Sequence, residues 1–136
     1  MSVLVDTSVW IDFLRGVEAR HVAALDSAIQ TQRVLIPDIA LAEILLGLRS
    51  EKIARQVEMD LRRFEVADIG GRELAVTAAR NYRIMRAKGY TIRSTVDLMI
   101  GTWCMVQNVP LLHNDRDYLF MEKHLGLKNA LSEQLS

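Results

Sequence analysis

Residues 3–14 read Val-Leu-Val-Asp-Thr-Ser-Val-Trp-Ile-Asp-Phe-Leu, and the change of rhythm inside them decides the fold. Val3 to Val5 is a continuous apolar run, as in a strand covered on both faces. It stops at Asp6. Beyond it, apolar residues return at Val9, Trp10, Phe13 and Leu14, at helical spacing, until Gly16 interrupts them. A buried strand that gives way to a helix through a single acid is the unit from which α/β sheets are built.

Working outward, Val22, Leu25 and Ile29 continue a second helical stripe, and Val34 to Ile36, bounded by Pro37, is a second buried strand. Asp38 is placed to cap a helix whose inner face includes Ile44, Leu45 and Leu48. Ile53, Val57, Leu61 and Phe64 carry the spacing of an amphipathic helix, and a brief strand is expected around Val66. Leu74, Ala78, Tyr82 and Met85 define another helix ending near Gly89, which leaves Arg80, Arg83 and Arg86 mostly off its apolar stripe. Ser94 or Thr95 opens a helix containing Leu98, Trp103 and Val106. Val109 to His113 is the last strand, and a helix from Arg116 to His124 closes the pattern. Apolar strands alternating with helices imply an α/β fold with a mostly parallel sheet flanked by helices on both sides. Such sheets place their ligands beyond the carboxyl ends of the strands.

Composition narrows the classes of function. A length of 136 residues, with no Pro-, Ser- or Gly-rich stretch and no internal repeat, implies one domain spanning 1–136. The start lacks a basic leader, and no window approaches about 20 uninterrupted apolar residues, so a protein of the cytoplasm with no membrane segment is expected. Cys104 is the single cysteine, which excludes an intramolecular disulfide and a multi-cysteine zinc cluster and suggests a buried thiol. The 17 basic and 17 acidic residues cancel, so any attraction for a polyanion must be local. The segment between Glu73 and Asp97 has no acid but holds Arg80, Arg83, Arg86, Lys88 and Arg93, with Tyr82 and Tyr90 among them. A solvated helix face is the plain account of those charges.

The acids carry the chemistry. Asp6 ends the first strand and Asp115 follows the last, so both lie at the edge where an α/β sheet places its site. Asp97 falls in the first turn of a helix. Glu43 stands within the apolar segment Ile39-Ala40-Leu41-Ala42-Glu43-Ile44-Leu45-Leu46, where burial of a charge is costly without a partner. Helix capping offers an ordinary explanation for Asp6, Asp97 and Asp115, but it does not reach Glu43, well past Asp38. Four carboxylates in one pocket would raise each other's pKa unless a cation neutralised them, and hard oxygen ligands favour Mg²⁺ or Mn²⁺. Acid-only sites of this kind serve phosphoryl chemistry, in which the ion acidifies a water and neutralises charge on phosphate oxygens. Hydrolysis of a phosphodiester follows.

Four stretches carry a resemblance: Val3-Leu4-Val5-Asp6-Thr7-Ser8-Val9-Trp10-Ile11, Ile39 to Gly47 around Glu43, Thr91-Ile92-Arg93-Ser94-Thr95-Val96-Asp97, and Leu111-Leu112-His113-Asn114-Asp115-Arg116-Asp117-Tyr118. Together they resemble the PIN-domain proteins and, more narrowly, the VapC toxins of type II toxin–antitoxin systems, over nearly the whole chain. The resemblance implies a PIN-like fold and a Mg²⁺-dependent endoribonuclease, with Mn²⁺ as substitute. It puts Asp6, Glu43, Asp97 and Asp115 in the acidic site, with Asp6, Asp97 and Asp115 holding metal and Glu43 completing the coordination or orienting water. Asp117 matches an additional acid, Thr7 a hydroxyl beside the first acid, and Asn114 the Asn of an Asn-Asp pair. It further implies a homodimer, an RNA substrate and a cognate antitoxin whose C-terminal segment enters the groove. Arg86 and Arg93 are the candidate RNA contacts. His113 departs from the pattern, standing where many relatives have Ser or Thr. Its plain reading is an imidazole packed at a strand end.

Two other phosphoryl-transfer classes fit less well. A haloacid-dehalogenase-like phosphatase needs an acid two residues beyond the first, where this chain has Ser8, and a receiver domain needs a Lys after a late strand, where Leu111-Leu112-His113-Asn114 supplies none. The alternative from another class is a non-catalytic PIN-like module that binds RNA or protein.

Overall fold

A computed structural model of the chain describes residues 1–131. Strands β1 (Ser2–Val5), β2 (Arg33–Pro37), β3 (Glu65–Ala67) and β4 (Leu111–Leu112) form one parallel sheet in the order β3-β2-β1-β4. In register, Leu4 lies between Leu35 and Leu111. The connections are helical: α1 (Thr7–Leu14) and α2 (Arg20–Thr31) between β1 and β2, then α3 (Asp38–Leu46) and α4 (Glu51–Leu61). After β3 come α5 (Arg72–Ala87) and α6 (Thr95–Gln107), and α7 (Arg116–Leu125) follows β4.

Alternation along the strands splits the interior in two. Val3, Val5, Val34, Ile36 and Leu112 face one layer, with Trp10, Leu25, Ala40, Ile44 and Leu61 from α1 to α4. Leu4, Leu35 and Leu111 face the other, with Ala78, Met85, Ile100, Tyr118 and Met121 from α5 to α7. The expected α/β architecture, a parallel sheet covered on both sides, is the one found. Chain order reverses direction at β1, which sends one crossover to β2 while β4 docks on its opposite edge. The carboxyl ends of β1 and β4 therefore flank the switch point where α/β sheets open a crevice.

The layer of α5 to α7 depends on one close approach. A Cβ added at Gly101 would stand 2.5 Å from Met121 Sδ, so glycine makes the room that the Met121 side chain occupies between α6 and α7. That contact matters because α6 carries Asp97 and α7 is capped by Asp115.

Several local expectations need correction. Asp38 is the first residue of α3, not its cap, which is Pro37; its carboxylate instead accepts from Ile39 N at 2.8 Å and from Ile69 N at 3.1 Å. Leu48 lies beyond the end of α3. Ile53 is on the outer side of α4, 55% exposed. The last strand is shorter than the apolar run: Val109 N–H closes α6 by donating to Cys104 O at 2.9 Å, behind a left-handed Asn108, and Pro110 has no N–H to offer a ladder.

Candidate functional site

Asp6 stays in extended backbone after β1, and its N–H prolongs the ladder by donating to Leu112 O at 3.0 Å. Strand alternation therefore sends its side chain to the Leu4 side, into the layer of α6 and α7. It is only 5% exposed. Oδ1 accepts from the Tyr118 hydroxyl at 2.8 Å, while Oδ2 accepts from Ser8 Oγ at 3.0 Å and Ser8 N at 3.4 Å, which also caps α1. Capping and membership of an acidic cluster are thus compatible in one side chain.

Asp115 repeats the arrangement after β4. Its Oδ1 accepts from Asp117 N at 2.9 Å and caps α7. Asp97 sits in the first turn of α6, whose cap is Ser94, with Ser94 Oγ accepting from Asp97 N at 3.2 Å. The Asp97 carboxylate is close enough to Tyr118 and Asp6 for their electrostatics to couple. Glu43, half-buried on α3, accepts the Thr7 hydroxyl on Oε1 at 2.8 Å. Asp117 Oδ2 accepts from Arg93 N at 3.3 Å and ties the start of α7 to the approach to α6.

The electrostatics show that the acids feel one another. Burial, then the negative charges of Asp6, Asp115 and Glu43, push the Asp97 carboxyl up to about 7, against a lowering by the Tyr118 hydrogen bond. The Tyr118 phenol is driven far above its ordinary range by burial and by Asp6 and Asp97, so it remains a donor. Cys104, buried behind Asp6, is likewise pushed up by burial and by that carboxylate, which keeps the thiol protonated and matches a structural cysteine.

The fold brings Asp6, Glu43, Asp97 and Asp115 to one end of the sheet with Thr7, Asp117 and the backbone of Arg93. Asn114 and Arg86 are exposed, and among the described residues neither side chain is hydrogen-bonded or ion-paired to the acids. Tyr118 has a part in the cluster that sequence alone did not reveal. A tyrosine one helical turn beyond a capping acid is a usable signal, since a buried phenol needs a polar partner.

An all-oxygen donor set with surplus negative charge is chemically suited to a hard divalent cation. As the side chains stand, no three His, Cys, Asp or Glu residues among those described are gathered tightly enough to enclose an ion.

Comparison with known proteins bears on the family and the fold. A family model described as the PIN domain matches residues 3–123. The chain is 25% identical over 134 residues to VapC ribonuclease Mb1587 of Mycobacterium bovis, covering 94% of this chain and 97% of the relative, and Ribonuclease VapC11 of Mycobacterium tuberculosis matches with the same figures. Among solved structures, VapBC2 from Rickettsia felis, bound to a promoter DNA fragment, superposes with a TM-score of 0.76 at 17% identity over 95% of this chain and 97% of that one. VapBC-1 from nontypeable Haemophilus influenzae gives 0.72 at 17% identity over 94% and 96%, and FitAcB from Neisseria gonorrhoeae 0.70 at 22% over 93% and 95%. At such identities the likeness establishes the PIN-like fold.

Proposed function

The chain belongs to the PIN domain family, and from that premise we propose that it is a Mg²⁺- or Mn²⁺-dependent endoribonuclease, the toxin of a toxin–antitoxin pair. The observation that carries the proposal is the convergence of four carboxylates from the end of β1, α3, α6 and the β4–α7 junction, where burial and then the charges of Asp6, Asp115 and Glu43 push Asp97 up to about 7. Helix caps alone need no such meeting. The names of the relatives, VapC ribonucleases, and the VapBC complexes among the solved neighbours support the same activity and an antitoxin partner.

In this proposal Asp6, Asp97 and Asp115 would hold the divalent ion, which when bound neutralises phosphate charge and acidifies water. Tyr118 directs the Asp6 carboxylate through its hydroxyl. Glu43, steadied through Oε1 by Thr7, has Oε2 left to accept a proton from the attacking water. Asp117 holds the Arg93 backbone at the approach to α6, and the exposed arginine side chain is the proposed contact for a substrate phosphate. Asn114 borders the site, and Arg86 extends a cationic path along exposed α5. The proposed assembly is a homodimer acting in the cytoplasm.

The test is to express the wild type and Asp6→Asn and map new RNA ends in each. Cleavage by the wild type alone, with a higher melting temperature in Mn²⁺, is the expected result. Equal cleavage by both would remove Asp6 from the site, and no melting shift at millimolar Mn²⁺ would favour a binding-only module.

A further inference from the structure

The junction between β4 and α7 contains a histidine whose bonds determine its tautomer. Asp115 N–H donates to His113 Nδ1 at 3.2 Å, closing a tight turn of the kind Asn, Asp or Ser usually makes with the amide two residues on. An amide can only donate, so Nδ1 presents its lone pair and the neutral ring carries its proton on Nε2. That proton goes to Glu122 Oε2 on α7. Glu122 is held in turn: Asn129 Nδ2 donates to Oε1 at 3.2 Å and Oε2 at 3.1 Å. Asn129 itself is oriented because its Oδ1 accepts from Leu131 N at 2.8 Å and its backbone bridges to Leu111 of β4.

The imidazole is 3% exposed, and its ring lies 4.8 Å, centroid to centroid, from that of Tyr118. One side of this ring therefore sets the backbone of Asp115. Its face supports the phenol that bonds Asp6. Packing alone would require neither the directed Nδ1 contact nor the two polar residues, Glu122 and Asn129, behind it.

We propose that His113 is a positioning residue of the acid cluster, locked by Glu122 and Asn129 with its proton on Nε2 so that Nδ1 fixes the main chain of Asp115. The idea rests on the metal-binding reading above. It adds a second layer of residues, Glu122 and Asn129, remote from the substrate, through which ion affinity is set.

The test compares His113→Asn with His113→Gln. Both lose the ring against Tyr118, but Asn places a carboxamide oxygen where Nδ1 was, while Gln reaches toward Glu122 and leaves the Asp115 amide without its acceptor. Calorimetric titration with Mn²⁺ should give His113→Asn a Kd within a few-fold of wild type and His113→Gln one weaker by roughly tenfold, typical of residues behind metal ligands. Equal affinities for the two variants would overturn the proposal. Glu122→Gln, which keeps the side-chain volume, serves if His113→Gln does not fold, and should weaken Mn²⁺ binding while shifting part of His113 to the Nδ1–H form. Imidazole ¹⁵N spectra of the metal-free wild type decide independently: an Nε2–H ring is expected, and an Nδ1–H ring refutes the proposal. If wild type binds no Mn²⁺, the metal reading fails on its own, and the spectra still judge the tautomer.

Discussion

The hydroxyl of Tyr118 donates to Oδ1 of Asp6 at 2.8 Å, a contact between residues 112 positions apart that joins the end of β1 to α7. The negative charge of Asp97 also acts on this phenol, so one group feels two acids that repel each other. Tyr118→Phe removes that donor from a buried carboxylate. A stability loss of about 2 kcal/mol in chemical denaturation is expected, in line with hydrogen bonds to charged groups. Added Mn²⁺ should recover part of it, because a cation offsets the same repulsion. A loss unchanged by Mn²⁺ would mean the phenol acts through packing alone.

Asp97 makes the metal-free protein sensitive to pH. Its folded carboxyl titrates at about 7 against 3.8 unperturbed, so between those values the folded state binds the proton more tightly than the unfolded chain. The stabilisation from this group is complete below about pH 4 and is lost as the pH rises through 7. In EDTA, the difference in melting temperature between Asp97→Asn and wild type should therefore grow by a few degrees in favour of the variant from pH 5 to pH 8, a modest amount because solvent screens the half-buried group. A difference that stays constant across that range would contradict the crowding of carboxylates around Asp97.

Thr7 and Glu43 divide a single task. Glu43→Gln should lower kcat on the order of a hundredfold, as expected when a proton acceptor is lost, with little effect on KM. Thr7→Val removes only the bond that steadies Glu43 and should cost roughly tenfold in kcat. Combining the two should cost no more than Glu43→Gln alone, since the hydroxyl acts through the carboxylate. Additive losses would assign Thr7 a separate contact with substrate.

Gly101 can be tested as a spacer. An added methyl meets Met121 Sδ in an interior where Met121 is fully buried, and overpacking of about 2 kcal/mol should outweigh the roughly 1 kcal/mol that alanine gains in helix propensity. Gly101→Ala should melt lower than wild type, and much less so in a Met121→Ala background. Equal penalties in both backgrounds would show that the two helices are not in contact there.

Much of this arrangement was legible in the residues, for identifiable reasons. Strands covered on both faces leave unbroken apolar runs, and amphipathic helices leave stripes, so the α/β alternation and the acids at strand ends could be read in order. Glu43 was conspicuous because its neighbours are apolar. What escaped reading depends on who meets whom. Val109 looks like strand but gives its N–H to the end of α6. Asp38 looks like a cap but its carboxylate bridges to Ile69 N. Ile53 keeps helical spacing on a helix whose outer side nothing covers among the described residues. The partners of Tyr118 and His113 are set by tertiary folding, which no local pattern encodes.

The strand that bears Asp6 has neighbours on both of its edges, β2 on one and β4 on the other. Its amides can exchange hydrogen with solvent only when the whole sheet comes apart, whereas peripheral helices open locally at far lower cost. The acid nearest the centre of the chemistry is thus anchored to the most persistent part of the backbone. Fraying at the periphery leaves it in place, and only global unfolding carries it away.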